Sequence, residues 1–92
     1  MLRVRARHIL VPSEAEGREL KELLARGEAF EALARAYSSC PSGASGGELG
    51  EFGRGDMVPE FEEAVVSAAV GEVLGPVQTC FGYHLIEVLE RR

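Results

Sequence analysis

Three side chains of this sequence have the chemistry of catalysis or metal binding, and they lie far apart along the chain. His8 is near the amino end, His84 is near the carboxyl end, and Cys40 lies between them. Together they could bind a metal ion or form the nucleophile and base of a cysteine hydrolase. Zinc ligands usually come in closely spaced pairs, however, and a hydrolase needs further groups for its base and its oxyanion. Two separately hydrogen-bonded core histidines are the third alternative, and the residues alone leave all three open.

Alternating side chains predict that both histidines lie on strands. Residues 3–10 fall into two alternating sets. The odd-numbered positions hold three arginines and Ile9, and the even-numbered positions hold Val4, Ala6, His8 and Leu10. This is the pattern of a strand with one covered face. His84 shares its predicted face with Ile86 and Val88. Both imidazoles are therefore expected to meet apolar neighbours, where their ring nitrogens need hydrogen-bond partners, and a second imidazole could be such a partner.

Helical patterns occupy much of the sequence between the histidines. Ser13 and Glu16 form a capping box at the start of a first helix, and Gly27 is a plausible end for it. A second helix has apolar side chains at helical spacing, which are Phe30, Leu33, Ala34 and Tyr37. Pro59 begins a third helix that ends at Gly71 and buries Phe61, Ala64, Val65 and Ala68.

The remaining segments predict strands and one loop. "ELGEF" is a short strand, and "GPVQT" and "YHLIEVLE" are two strands joined by a tight turn at "CFG". Residues 38–47 have the composition of a loop with room for one short helical turn. The order is strand, helix, helix, strand, helix, strand, strand, which fits an α+β class with a mostly antiparallel sheet. At 92 residues, the chain is predicted to be a single domain, 1–92, whose site is a surface groove.

Charge and composition argue against several classes of protein. Ten basic and fifteen acidic residues give a net charge of −5, which argues against a nucleic-acid partner. No segment has the apolar length of a membrane span, and the amino end lacks the apolar core of a signal peptide. The two cysteines form neither a disulfide framework nor a CxxC pair. The sequence therefore predicts a cytoplasmic location.

Three linked motifs resemble the parvulin family of peptidyl-prolyl cis/trans isomerases. They are "ARHILV", "SSCPSGASGGELGEFGRGDMVPEFEEA" and "GPVQTCFGYHLIEV", and they follow the family's order and spacing across almost the whole chain. The resemblance implies a four-stranded antiparallel sheet surrounded by about four helices, including a short one near residues 41–45. It also implies an isomerase that uses no cofactor, metal or covalent intermediate.

The resemblance also assigns site residues, position by position. The catalytic set falls on His8, Cys40, Thr79 and His84. The apolar pocket for the proline ring falls on Leu49, Met57 and Phe61, with Phe81 at a rim position that varies in the family. Phe61 and Met57 are expected to be groove residues that are only partly buried. Cys40 is expected to act electrostatically, because the family also allows Asp there.

The implied substrates are unphosphorylated X-Pro bonds of flexible or unfolded chains, and the implied role is assistance to protein folding by a monomer. Parvulins that require phosphate carry a basic loop after the first strand, whereas this chain has the short acidic stretch "VPSEAEGRE". Glu14 and Glu16 would repel a phosphate. Two alternatives remain at this point: a peptide-binding chaperone module without catalysis, and an adaptor that docks on a partner through an exposed apolar helix face.

Overall fold

The computed structural model describes residues 2–92, which fold around one antiparallel sheet. Its strands are β1 (Val4–Val11), β2 (Glu48–Phe52), β3 (Val73–Thr79) and β4 (Gly82–Arg91), in the spatial order β2-β1-β4-β3. The helices are α1 (Glu14–Ala25), α2 (Phe30–Tyr37) and α3 (Pro59–Ser67), with a 3₁₀ helix at Pro41–Ser45. The predicted α+β class, the order of elements and the short fourth helix are confirmed.

Both faces of the sheet are covered, and each face has its own apolar cluster. On one face, α3 packs on the sheet through a cluster of Val4, Ala6, Phe52, Phe61, Val65, Ala68, Ile86 and Val88. On the other face, α1 and α2 pack through Ile9, Val11, Leu20, Phe30, Leu33, Ala34 and Leu85. The prediction that β1 has only one covered face is therefore wrong. Ile9 is fully buried because α1 and α2 cover the second half of β1 on the face that carries the arginines.

The helix boundaries follow local signals at most ends. Ser13 caps α1 by accepting a hydrogen bond from the Glu16 amide, and Gly27, with a φ of 100°, follows its end. Pro59 is the first residue of α3. That helix stops at Ser67 rather than at Gly71, because Ala68 is already extended and the Gly71 amide donates to the carbonyl of Val88.

Two other expectations about the helices and the arginines need correction. Tyr37, predicted to belong to the buried stripe of α2, is 56% exposed at the end of the helix. Arg7, which lies on the face of β1 predicted to be uncovered, is largely covered: its guanidinium pairs with Glu87 and Glu31 and lies 4.6 Å from the centre of the Phe30 ring. Between residues 2 and 92, no helix has the length and apolarity that a bilayer span requires.

Candidate active site

The two histidines form a buried, hydrogen-bonded pair in the middle of the sheet. They lie on the neighbouring strands β1 and β4, on the face that α3 covers, and each is about 5% exposed or less. Their Nδ1 atoms are 2.9 Å apart, and their rings are nearly parallel with centres 5.1 Å apart. The prediction that each imidazole could serve as the other's partner is confirmed.

Hydrogen bonds continue from the pair in both directions. The Nε2 atom of His84 is 2.7 Å from the hydroxyl of Thr79, which also accepts a bond from the Phe81 amide. The Nε2 atom of His8 is 3.1 Å from the hydroxyl of Ser42, which in turn donates to the sulfur of Cys40 at 3.2 Å. The four side chains predicted as catalytic therefore belong to one connected chain, and Ser42 is the link that joins Cys40 to the histidines.

When the Ser42 hydroxyl donates to the sulfur of Cys40, one pair of tautomers satisfies the whole chain of hydrogen bonds. Because the Ser42 hydroxyl donates to Cys40, it must accept from the Nε2–H of His8. His8 Nδ1 then accepts the Nδ1–H of His84, whose Nε2 accepts the hydroxyl hydrogen of Thr79. The Phe81 amide donates to the same hydroxyl oxygen, which leaves the hydroxyl hydrogen of Thr79 available for this bond. Every proton points towards the sulfur, and both imidazoles are neutral.

Burial keeps the pair neutral. It lowers the pKa of His8 to about 4, with a further contribution from the neighbouring His84. Burial also lowers the pKa of His84. The link between the two Nδ1 atoms requires one of them to lack a hydrogen, so the two imidazoles cannot both be protonated while it is formed. All four ring nitrogens take part in hydrogen bonds, and residues 2–92 contain no cluster of three metal-ligating side chains.

Phe61 is a core residue that also forms the base of the site. It is 2% exposed, so the expectation that it is only partly buried is wrong. Its ring meets both imidazoles edge to face, with centres 5.7 Å from His8 and 5.4 Å from His84, and it also contacts Phe52. The reason is that α3 lies directly over the central strands and places this side chain beneath the histidines.

The other predicted substrate residues are distributed around this base. Leu49 on β2 and Met57 before α3 are half-buried and pack against the cluster that contains Phe61. Phe81, in the turn between β3 and β4, is 68% exposed, yet its amide is bonded to Thr79. Cys40 is half-buried, whereas Cys80 is exposed. The structure thus brings Leu49, Met57 and Phe61 together and leaves Phe81 at the edge.

Sequence reasoning missed Ser42. The loop contains four serines, at positions 38, 39, 42 and 45, and nothing in their local sequence distinguishes them. The signal that could have identified Ser42 is its position two residues after Cys40, with Pro41 starting a turn between them. That turn brings the hydroxyl back towards the sulfur.

A family model described as "Rotamase: PPIC-type PPIASE domain" matches residues 8–90. The foldase protein PrsA of Geobacillus kaustophilus is 51% identical over 90 residues, which are 97% of this chain and 32% of that protein. The chaperone SurA of Nitrosospira multiformis is 48% identical over 96 residues, which cover 95% of this chain and 22% of that protein. The chain therefore spans about a third or less of the length of these relatives.

Solved structures show the same fold. The crystal structure of the peptidylprolyl isomerase PrsA from Bacillus anthracis superposes with a TM-score of 0.97 at 40% identity, covering 99% of this chain and 42% of that one. The solution structure of the parvulin of Nitrosopumilus maritimus has a TM-score of 0.87 at 37% identity and covers 98% of both chains. The chain belongs to the PPIC-type rotamases, the parvulin family of peptidyl-prolyl cis/trans isomerases.

Proposed function

We propose that this chain isomerises X-Pro bonds in unphosphorylated, flexible polypeptides and does so without a covalent step. The observation that supports this most is the hydrogen-bonded chain from the Phe81 amide to the sulfur of Cys40. The ring of Phe61 contacts both imidazoles of this chain, and the half-buried Leu49 and Met57 pack against the apolar cluster that contains Phe61. The site combines an apolar surface for a proline ring with a polar group held in a fixed direction.

The reaction is a rotation, so the protein must favour the twisted amide over both planar forms. Resonance in the amide sets a barrier of about 18–20 kcal/mol. In our proposal Leu49 and Met57 hold the proline ring, Phe61 supports them from below, and the preceding carbonyl turns. Loss of conjugation changes the charge on that carbonyl oxygen, and fixed dipoles nearby can respond to the change. Cys40 is the group to which we assign this electrostatic role.

The preference for unphosphorylated substrates is argued from the connection between β1 and α1. This connection is only two residues long, Pro12 and Ser13, and the first turn of α1 carries Glu14 and Glu16. Arg18, the nearest basic residue along α1, pairs with Glu14 at 3.3 Å. A phosphate on the residue before proline would therefore meet acidic rather than basic groups.

Exchange spectroscopy by NMR on a panel of X-Pro peptides, with and without phosphate on the preceding residue, tests the proposal. The purified protein should accelerate cis/trans exchange of the unphosphorylated peptides, and phosphate should give no gain. Met57→Ala should weaken peptide binding. An uncatalysed rate at high protein concentration would refute the isomerase proposal, and a gain of about tenfold on phosphorylation would refute the stated specificity.

A chaperone module that binds peptides without catalysis is the second candidate, and the exposed ring of Phe81 favours it. The same NMR samples separate the two, because binding without catalysis gives shifted peptide signals at an unchanged exchange rate. Folding assistance forms part of our proposal, supported by relatives named foldase and chaperone. The monomeric state stays a prediction. The cytoplasmic location stays a prediction.

A further inference from the structure

The loop that carries Cys40 is attached to an open edge of β1. Strand β2 pairs with β1 only as far as Arg7, so the second half of β1 has no strand on that side. The loop takes its place at two points. Its far end meets His8, whose amide donates to the carbonyl of Gly47, and its near end meets Leu10.

The attachment at Leu10 combines one backbone hydrogen bond with two bonds to a single hydroxyl group. Ser39 donates its amide to the carbonyl of Leu10 at 2.7 Å. The Leu10 amide has no backbone carbonyl to donate to here, and it donates instead to the hydroxyl oxygen of Ser38 at 3.0 Å. The same oxygen accepts the Cys40 amide at 3.3 Å. Ser38 therefore ties the backbone of Cys40 directly to the strand that carries His8.

We propose that Ser38 is a positioning residue: its hydroxyl holds Cys40 in place against β1, so that the sulfur stays within reach of Ser42 and the histidine pair. Ser38 makes no contact with the reacting atoms in this proposal. It acts through the backbone of Cys40, and the inference rests on the proposed isomerase function of the site.

Removal of this hydroxyl leaves two amides without their partner at the base of the loop. The Gly47 attachment and the bond from the Ser39 amide to the Leu10 carbonyl remain, because they use backbone atoms only. The loop would therefore stay attached at both ends, but the amide of Cys40 would lose its tie to β1 through Ser38, and Cys40 would gain freedom. A misplacement of about 1 Å in an active site can cost about 10²-fold in rate. The apolar residues Leu49 and Met57 lie outside this loop, so peptide binding should change little.

The test compares Ser38→Ala with Ser39→Ala. Ser39 is the matched control, because it is the neighbouring serine and its side chain is exposed. We expect Ser38→Ala to lower kcat about 10- to 100-fold with KM within twofold, and Ser39→Ala to leave both near the wild-type values. Amide hydrogen exchange, followed by NMR, should become faster at Leu10 and Cys40 in Ser38→Ala only.

A second pair of variants separates the hydroxyl from the shape of the side chain. Ser38→Thr and Ser38→Val have nearly the same shape, and only the threonine keeps an acceptor oxygen. Ser38→Thr should have the kcat of the wild type and amide exchange as slow as in the wild type, whereas Ser38→Val should behave like Ser38→Ala. The proposal would be overturned if Ser38→Ala had the same kcat and amide exchange rates as Ser39→Ala, and Ser38→Val the same as Ser38→Thr. If the wild-type protein is inactive, the proposed isomerase function is wrong, and the amide exchange rates alone show whether Ser38 holds Cys40 against β1.

Discussion

Substitution of Cys40 can separate electrostatic from covalent chemistry, because aspartate carries a negative charge but has no nucleophilic sulfur. The Ser42 hydroxyl donates to the sulfur, and a carboxylate can accept the same bond. We expect Cys40→Asp to keep substantial isomerase activity. Cys40→Ala should lose about 10²-fold, the usual effect of removing one stabilising group. Rates on one X-Pro peptide measure both.

Cys80 supplies the control for this experiment, since it is the other free cysteine and is exposed. Cys80→Ser should retain wild-type activity and stability. A folded but inactive Cys40→Asp protein would contradict the electrostatic role.

Phe61 and Phe81 are the same residue type in opposite environments, with exposures of 2% and 68%. Phe61→Ala should lower the free energy of unfolding by about 3–5 kcal/mol, because it removes a buried ring and leaves a cavity under both imidazoles. Phe81→Ala should cost little stability and should act on peptide binding. Chemical denaturation of both variants measures the difference, and equal stabilities would show that Phe61 is not a core residue in solution.

At the scale of elements, Gly47 is the residue that allows the Cys40 loop to approach β1. Its φ is 87°, and an added Cβ would overlap the carbonyl oxygen of His8. Gly50 has a similar φ of 72° with open space around it. We expect Gly50→Ala to cost about 1–2 kcal/mol from the left-handed backbone alone. Gly47→Ala should cost clearly more and reduce activity, as thermal melting and the peptide assay would show; similar melting temperatures would contradict this.

How much the sequence predicts depends on the range of the interaction. Alternation and capping are local, and they located β1 and the start of α1. The burial of Ile9 beneath α1 and α2, and the role of Ser42, depend on contacts between distant segments. His8 and Ser42 are 34 positions apart, and no local pattern reports that the loop folds back over β1. The resemblance supplied the residue types around the proline pocket, but the depth of Phe61 follows from how α3 packs.

For the whole molecule, the histidine pair makes stability depend on pH. The chain has only two histidines, and in the folded protein the pKa of His8 is lowered to about 4 and that of His84 is also lowered. In the unfolded chain both have pKa values near 6.5. Between these limits the unfolded state binds more protons, so the free energy of unfolding rises with pH. The contribution of the neutral histidine pair to the free energy of unfolding is therefore fully present above about pH 6.5 and is lost as the pH falls towards 4.

Denaturant titrations at pH 7, 6 and 5 should show a steady decrease in the free energy of unfolding. NMR titration should show His8 still neutral at pH 5.5, with its proton on Nε2, and His84 titrating below pH 6.5, with the proton of its neutral form on Nδ1. Stability that is constant from pH 7 to pH 5, or an imidazole titrating near pH 6.5, would contradict the buried neutral pair.

The pairing of β1 with β4 has a consequence for synthesis on the ribosome. The two strands lie side by side at the centre of the sheet, yet they come from opposite ends of the chain. Until β4 leaves the exit tunnel, β1 lacks its main neighbour, His8 lacks His84, and the central cluster is incomplete. Contacts over such long sequence separations form late, after most of the loop-closure entropy has been lost. A nascent chain that stops before β4 should therefore have no isomerase activity, and the site should appear only after β4 has left the exit tunnel.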